Sequence, residues 1–376
     1  MKKAQFLKLL FTLVLLSSGL FSFADDTNKT LSIGASAPDF KLRGVDGKTY
    51  SLASFKNATV LVVVFTCNHC PTAQAYEDRL IQLTKTYKSK GVAVVAVSPN
   101  DPTSIRLDEL GYTDLGDSFE DMKLRAKQKK FNFPYLYDGA TQSMSRAYGP
   151  VATPHVFVFD RARKLRYHGR IDDVEKPTGN PKNLDAKNAI EALLANKEVP
   201  VATTKVFGCS VKWAEKSDWI KKAEAEWAKE PVTLEAIDVN GIKDVLKNTS
   251  DKLRLINVWA TWCGPCVSEF SSFIEMNRMY RGRDFEFVSI SADSPSNRQK
   301  ALKFLQKQQA SGSNYIFSSE DKYELIEAID PNWQGALPYT LLVEPGGRIA
   351  YAKQGIINPQ EMKKLIVENK FIGRFY

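Results

Sequence analysis

Two cysteine pairs, each placed directly after an apolar run, constrain what this chain can fold into. The run from Thr59 to Phe65 precedes Cys67-Asn68-His69-Cys70, and the run from Leu253 to Ala260 precedes Trp262-Cys263-Gly264-Pro265-Cys266. Both runs have the length and residue types of a buried strand, and a helical pattern follows each pair. The sequence therefore predicts two strand-to-helix turns, each carrying two thiols.

The second pair has the spacing of a reversible disulfide at the start of a helix. A thiol there faces unpaired amides and the positive end of the helix dipole, which lower its pKa. Cys263 is the predicted nucleophile, and Cys266 would attack a mixed disulfide formed on Cys263. We expect Pro265 to stiffen the turn and Trp262 to shield the site. The alternatives, a structural pair or half of a zinc site, need a second ligand pair nearby, and none follows in this half of the sequence.

Residues around the second pair carry a family resemblance. With the run Asn257-Val258-Trp259-Ala260-Thr261 before it and Glu269 after it, the motif resembles thioredoxin and the TlpA/ResA branch of extracytoplasmic thiol-disulfide oxidoreductases. The resemblance implies an α/β fold with a central mixed sheet flanked by helices. Glu269 would lie one helical turn beyond Cys266. It is either a proton acceptor for that thiol or a solvated surface residue.

The N-terminus reads as a secretory signal peptide, residues 1–24. Lysines precede an apolar run from Leu9 to Leu16, and Ser22-Phe23-Ala24 ends it with a cleavage pattern near Ala24. An uncleaved anchor is the weaker alternative, because a membrane span needs about 20 apolar residues. The mature protein is expected in the periplasm, where disulfides persist.

Composition limits the partners. The formal charge of +9 includes three lysines of the signal peptide, which leaves +6, and no basic cluster is interleaved with aromatic residues, so no nucleic-acid binding is predicted. Dinucleotide G-x-G-x-x-G motifs and phosphate loops are absent from the sequence. We therefore predict no nicotinamide and no cofactor other than redox-active disulfides. Protein thiols and disulfides are the expected partners, with a membrane thiol carrier as electron donor.

The order of elements repeats along the chain. After each cysteine pair come a strand, a proline-led strand pair at Thr153-Pro154 or Leu337-Pro338, and a last helix. From Cys67 to Pro154 is 87 residues and from Cys263 to Pro338 is 75, so we place the extra length of the first copy in the loop 100–116. We predict two thioredoxin-like domains, 25–198 and 232–376, joined by a linker, 199–231, with an amphipathic helix.

Both prolines have a role that the thioredoxin fold implies. In that fold, which this arrangement resembles, the proline is cis and packs against the cysteine pair, and the residue before it pairs with a peptide substrate. The resemblance carries this role to Thr153-Pro154 and Leu337-Pro338. The alternative is a trans proline on an edge strand, since cis forms make up only about 5% of X-Pro bonds.

The first copy resembles the redoxin group that includes the peroxiredoxins, the AhpC/TSA family, over residues 33–196. The runs from Phe133 to Asp138 and from Gly169 to Asp173 carry this resemblance. The peroxidatic pattern P-x-x-x-T-x-x-C is missing, because valine stands seven residues before Cys67 and before Cys70. A dithiol-disulfide site is therefore favoured over the alternative of a thiol peroxidase with antioxidant activity.

Residues near the first cysteine pair suggest what sets its reduction potential. A protonated His69 would stabilise a neighbouring thiolate and make the couple more oxidising, so electrons would flow from Cys263 and Cys266 to the first pair. Cys67, His69, Cys70 and Cys209 could instead bind copper or zinc, but adjacent ligands are hard to aim at one ion, and no metal is predicted. Cys209 is a third thiol that resolves a disulfide on Cys67, a cysteine that pairs with another chain, or a buried unreactive thiol.

Overall fold

The computed structural model describes residues 29–176 and 178–375. The predicted signal peptide lies outside the described residues. Within those ranges, no helix combines the length and the apolar character that crossing a membrane requires.

The described part of the first domain contains a seven-stranded sheet and four α-helices. The strands are β1 (Lys41–Gly44), β2 (Thr49–Ser51), β3 (Val60–Phe65), β4 (Val92–Ser98), β5 (Tyr135–Tyr137), β6 (His155–Phe159) and β7 (Leu165–Gly169). The helices are α1 (Pro71–Tyr87), α2 (Phe119–Lys129), α3 (Ser143–Tyr148) and α4 (Asp185–Leu194). The strand order is β2-β1-β5-β4-β3-β6-β7.

A connecting helix and a second α/β domain follow. The helix is α5 (Ser217–Trp227). The strands of the second domain are β8 (Glu235–Ile237), β9 (Leu253–Trp259), β10 (Phe285–Ser291), β11 (Ser313–Phe317), β12 (Tyr339–Val343) and β13 (Ile349–Gln354). Its helices are α6 (Val239–Lys247), α7 (Gly264–Tyr280), α8 (Arg298–Lys307), α9 (Lys322–Ile329) and α10 (Pro359–Glu368). The sheet order is β13-β12-β9-β10-β11-β8.

The two sheets share a five-stranded core. In the first domain the order β5-β4-β3-β6-β7 matches β11-β10-β9-β12-β13 in the second. In both domains the first three of these strands are parallel to one another, and the last two strands of the order pair antiparallel. β3 and β9 are central and buried almost throughout, which explains their continuous apolar sequences. The sheets differ at one edge, where the β1-β2 hairpin adds to β5 and the parallel strand β8 adds to β11. The predicted α/β fold with two mixed sheets flanked by helices is confirmed.

The predicted extra length of the first copy lies between β4 and α2. Residues 99–118 separate those elements, whereas residues 292–297 separate β10 from α8. This insertion packs on the second domain, where Leu107 and Leu110 contact its apolar core. The Tyr280 hydroxyl donates a 2.8 Å hydrogen bond to the Thr113 carbonyl. The insertion therefore forms part of the contact between the domains.

The N-terminal half of the predicted linker packs on the first domain. Val211 is buried, and Val199 and Phe207 contact the core that β3, β4 and α1 share. Lys212 donates from its backbone amide to Asn100 Oδ1 at 2.9 Å. This segment, residues 199–213, is thus held in place, and the described connection between the domains runs mainly through α5.

The ion pair between Asp114 and Arg374 provides a test of the contact between the domains. The Asp114 side chain is fully buried and accepts a 2.6 Å hydrogen bond from Arg374 Nη1. We expect Asp114→Asn to cost roughly 3 kcal/mol, because it leaves the guanidinium without its buried counter-charge. Calorimetry should show a lower Tm and separate unfolding of the two domains.

A surface ion pair supplies the matched control. Asp218 pairs with Lys221 at 3.0 Å, and both side chains are exposed. Asp218→Asn should leave the unfolding profile unchanged. If Asp114→Asn unfolds like the unsubstituted chain, the insertion does not hold the domains together.

Candidate active sites

The second domain holds a disulfide at the N-terminus of a long helix. Cys263 and Cys266 are bonded, with their Cα atoms 5.3 Å apart. Cys263 is the N-cap residue of α7, and its Sγ accepts a hydrogen bond from the Cys266 amide at 3.3 Å. Both side chains are buried. Trp262, predicted to shield the pair, is 65% exposed and forms a large apolar surface next to it.

Pro338 lies at the start of β12, the strand that follows β9 in the sheet. The Leu337–Pro338 peptide bond is cis, as predicted. β12 pairs antiparallel with β9, and Tyr339 lies opposite Val258. Because Val258 is near the end of β9, the proline is at the edge of the sheet from which the cysteine loop emerges.

Glu269 is buried in the first turns of α7. The residue is 5% exposed, and Oε2 accepts a 2.9 Å hydrogen bond from the Ile357 amide. Oε1 has no hydrogen-bond partner among the described residues. Burial raises the pKa of this carboxyl group. The alternative of a solvated surface residue is therefore wrong, and the role of proton acceptor for Cys266 stays a prediction.

The first domain brings three thiols together. Cys67 and Cys70 are buried, and Cys209 is partly exposed. Cys70 is the N-cap of α1, and its Sγ lies 3.3 Å from both the Thr153 carbonyl oxygen and the Cys209 amide nitrogen. Cys67 Sγ lies 3.1 Å from Thr153 Oγ1. The Thr153–Pro154 bond is cis, as predicted, so the same proline feature borders both sites.

A short backbone bridge holds Cys209 at this site. The Thr153 amide donates to the Cys209 carbonyl at 2.8 Å, and the Cys209 amide donates to the Thr153 carbonyl at 3.2 Å. Gly208 has a φ of 137°, and a Cβ atom there would lie 2.0 Å from the Thr153 oxygen. Only glycine permits this approach. Cys209, distant in sequence, thus becomes the neighbour of Cys70.

Asp117 is a buried carboxylate beneath the cysteine loop. Oδ1 accepts from the amides of Asn68 at 2.8 Å and His69 at 3.1 Å. Oδ2 is 2.7 Å from His69 Nδ1 and accepts from Asn100 Nδ2 at 2.6 Å. Burial disfavours the protonated His69 ring, but the Asp117 charge outweighs burial and raises the pKa of the imidazole. His69 and Asp117 thus form a buried, hydrogen-bonded pair in which the neighbouring carboxylate favours the charged form of the ring.

The three thiols differ in acidity. Burial would raise the pKa of Cys70, but hydrogen bonds from Cys209 and Cys67 and the charge on His69 lower it well below its ordinary value. Burial, together with the contact with Cys70, raises the pKa of Cys67. The contact with Cys70, together with burial, also raises the pKa of Cys209. Cys70 is therefore the most acidic of the three thiols, and the shifts at Cys67 and Cys209 favour their neutral forms.

Three side chains beside the first cysteine pair could in principle bind a metal ion, but they are not the same set as the predicted alternative of Cys67, His69, Cys70 and Cys209. Ligand atoms of Cys67, His69 and Asp117 lie within 4.8 Å of one another. However, both carboxylate oxygens of Asp117 already accept two hydrogen bonds each. Since a carboxylate offers about four lone-pair sites, a metal could bind only by displacing one of these donors. The residues fit a hydrogen-bond network better than a metal centre.

Family comparisons agree with the two described folds. The AhpC/TSA family matches residues 33–168. The Redoxin family matches residues 225–366. The chain is a tandem of two thioredoxin-like redoxin domains.

The curated relatives of this redoxin tandem are thiol-disulfide exchange proteins by name. The chain is 24% identical to "Thiol-disulfide oxidoreductase ResA" of Bacillus cereus over 151 residues, which are 38% of this chain and 77% of that protein. It is 31% identical to "Thiol:disulfide interchange protein DsbE" of Escherichia coli K12 over 117 residues, 31% of this chain and 56% of that protein. Each alignment thus covers one part of the tandem.

Solved structures resemble parts of the redoxin tandem as well. A hypothetical protein from Sinorhizobium meliloti is 33% identical, with a TM-score of 0.45, and the match covers 50% of this chain and 97% of that one.

Two polar residues of the first redoxin domain were missed from the sequence. Asp117 and Asn100 lie in the insertion, 47 and 30 residues beyond Cys70, and no motif marks them. The available signal was the composition of this loop, which is turn-rich, contains Asp and Asn, and directly follows a buried strand. A loop in that position lies at the same edge of the sheet as the cysteine loop, where functional residues are common.

The charge on His69 provides a test of the Cys70 thiolate. In a chain carrying Cys263→Ser and Cys266→Ser, we expect His69→Gln to raise the pKa of Cys70 by about 1 to 2 pH units, because the positive charge beside the sulfur is lost. The ultraviolet absorbance of the thiolate, followed against pH, measures this shift without requiring a reagent to reach the buried sulfur.

His168→Gln is the matched control. Its Nδ1 lies 3.3 Å from His155 Nε2 in a contact that does not involve a cysteine. This variant should leave the pKa of Cys70, measured by thiolate absorbance, unchanged. An unchanged midpoint in His69→Gln would mean that the imidazole does not set the acidity of Cys70.

Proposed function

We propose that this chain is an extracytoplasmic protein-disulfide oxidoreductase that exchanges disulfides with protein partners at both cysteine motifs. The observation that carries the proposal is the Cys263–Cys266 disulfide at the N-terminus of α7, beside a cis-proline and a buried glutamate. The predicted signal peptide and the names of the relatives support the same function.

Disulfide exchange at the second domain follows from this geometry. In the reduced state, the Cys263 thiolate attacks a disulfide of the partner, and one partner sulfur leaves as a thiolate. Cys266 then loses its proton to Glu269 and attacks Cys263 Sγ. The bond between Cys263 and the partner breaks, the second partner sulfur leaves, and the internal disulfide forms. The partner gains two electrons, and the cysteine pair supplies them.

An electron relay between the domains completes the proposal. The thiolate at Cys70, stabilised by His69, favours the reduced form of the first site and makes it the stronger oxidant. Electrons then pass from Cys263 and Cys266 to the first domain. A membrane thiol carrier is the proposed donor, because a protein dithiol is the reductant that such a site accepts.

Separate reduction potentials test the relay. We expect the Cys263–Cys266 pair, measured in a chain with Cys67→Ser and Cys70→Ser, to lie below about −220 mV. The first site, measured with Cys263→Ser and Cys266→Ser, should lie higher, since each 30 mV is about a tenfold bias for two electrons. Alkylation and mass spectrometry in defined thiol buffers give both values. Equal potentials would remove the basis for the relay.

Insulin reduction tests the oxidoreductase activity itself. The chain with Cys263→Ser and Cys266→Ser should lose insulin reduction, whereas the unsubstituted chain catalyses it with a dithiol reductant. Lack of catalysis by the unsubstituted, folded chain would overturn the proposed function.

Glu269 supplies a test of proton transfer in the second domain. Because its carboxylate accepts the Cys266 proton, we expect Glu269→Gln to slow disulfide exchange roughly 10- to 100-fold near neutral pH. The loss should shrink at high pH, where the thiol ionises without help. Glu275→Gln, on the same helix but half-exposed and paired with Lys363, is the control and should keep full rate. A uniform loss at every pH would indicate a structural role for Glu269.

A further inference from the structure

The strand registers of the two domains can be compared residue by residue. β3 and β4 begin with Val60 paired to Val92, and β9 and β10 begin with Leu253 paired to Phe285. These are the same two central parallel strands of the shared core. Val60 and Leu253 are therefore equivalent starting points for the two cysteine loops.

Counting from these starting points places Cys70, rather than Cys67, at the position of Cys263. Cys70 lies ten residues after Val60, and Cys263 lies ten residues after Leu253. Each of these two cysteines is the N-cap residue of the helix that follows. The two motifs, which look equivalent in sequence, are thus shifted by three residues in space.

Two independent contacts agree with this alignment. Phe65, five residues after Val60, pairs with the residue after cis-Pro154. Val258, five residues after Leu253, pairs with the residue after cis-Pro338. Asn68 lies eight residues after Val60, and Thr261 lies eight residues after Leu253. The backbone amide of each donates a hydrogen bond to a buried aspartate of its own domain, at 2.8 Å for Asn68 and 2.9 Å for Thr261.

The alignment leaves the helix of the first domain without a resolving thiol. Three residues after Cys263 is Cys266, but three residues after Cys70 is Ala73, which is buried against the cysteines. Cys67 corresponds to Ala260, in the loop before the helix. A second sulfur for Cys70 must therefore come from elsewhere, and the bridge to Thr153 holds Cys209 against it.

We propose that the working redox pair of the first domain is Cys70 and Cys209, with Cys67 as a positioning residue. This inference rests on the proposed disulfide-exchange function. Cys70 is fully buried, whereas Cys209 is the partly exposed member of the three free thiols that the structure describes. Cys209 is thus the sulfur that a protein partner reaches, and Cys70 is the sulfur that holds the charge.

The exchange step balances with a protein dithiol as reductant. A partner thiolate attacks Cys209 Sγ of the Cys70–Cys209 disulfide, a partner–Cys209 bond forms, and Cys70 leaves as a thiolate. The second partner thiol loses its proton to solvent and attacks the partner sulfur of the mixed disulfide. Cys209 then leaves and takes up a proton. The partner dithiol loses two electrons, and the disulfide of the first domain gains them. A stabilised leaving thiolate makes attack at Cys209 fast.

Cys67 assists this step without joining the disulfide. Its sulfur lies 3.1 Å from Thr153 Oγ1, and its raised pKa keeps it protonated next to Cys70. Cys67 lies in the same buried cluster as Cys70, and a hydrogen bond between the two side chains lowers the pKa of Cys70, so a neutral Cys67 thiol stabilises the departing thiolate.

Tryptic mapping of the oxidised chain tests the pairing. We would use Cys263→Ser and Cys266→Ser in the full chain, oxidise it with oxidised glutathione, alkylate and digest it. Trypsin releases Cys67 and Cys70 on one peptide, residues 57–79, and Cys209 on another, residues 206–212. We expect the two peptides to be cross-linked, and the cross-link to persist in Cys67→Ser and disappear in Cys70→Ser.

Other outcomes of this mapping overturn the pairing. An internal disulfide within residues 57–79, with Cys209 alkylated, would identify Cys67 and Cys70 as the pair. A cross-link that survives Cys70→Ser would assign Cys67 as the partner of Cys209. Circular dichroism of each variant, including Cys209→Ser, controls for folding. Insulin reduction by the chain with intact Cys263 and Cys266, run in parallel, separates failure of this pairing from failure of the proposed function.

The role of Cys67 has its own readout. In Cys67→Ala the cross-link should still form, but the thiolate absorbance of Cys70 should appear at higher pH, because a hydrogen-bond donor is lost. Cys67→Ser, which keeps a donor, should restore much of the shift. Equal titrations in both variants and the parent would exclude the positioning role.

Discussion

The buried carboxylate of Asp117 is the contact on which the first site depends. An ionised group out of water is costly unless it is paired and hydrogen-bonded, and Asp117 meets both conditions through His69, Asn68 and Asn100. The carboxylate raises the pKa of His69, and the charge on His69 in turn helps to lower the pKa of Cys70. One side chain from the insertion therefore fixes both the shape of the cysteine loop and the charge within it.

The same insertion joins that site to the second domain. Asp114, three residues before Asp117, pairs with Arg374 near the end of the chain, and Thr113 accepts from Tyr280 at the end of α7. Cys263 is the N-cap residue of α7. A continuous set of contacts thus runs from one cysteine site to the helix of the other, and packed side chains and hydrogen bonds of this kind carry energetic coupling between sites.

Sequence patterns predicted the elements well because strand and helix formation depend on local residue types. The runs from Thr59 to Phe65 and from Leu253 to Ala260 contain β3 and β9, and both prolines are cis, as the resemblance to the thioredoxin fold implied. The three-residue shift between the motifs was missed, since spacing alone does not say where a helix begins. Pro71 was the available signal, because proline favours the first helical position and it directly follows Cys70. Burial of Glu269 depends on residue 357, far along the chain, which no local pattern reports.

The two domains differ in where the second thiol is attached, and this difference has a physical consequence. In the second domain both sulfurs are carried by one helical turn, so oxidation constrains little beyond that turn. In the first domain Cys209 belongs to the segment 199–213, which two backbone hydrogen bonds and a glycine hold against Thr153. A disulfide to Cys70 would make that attachment covalent, and reduction would leave it to the hydrogen bonds and packing alone. Since this segment leads directly into α5, the redox state of the first domain bears on how firmly the connection between the domains is anchored.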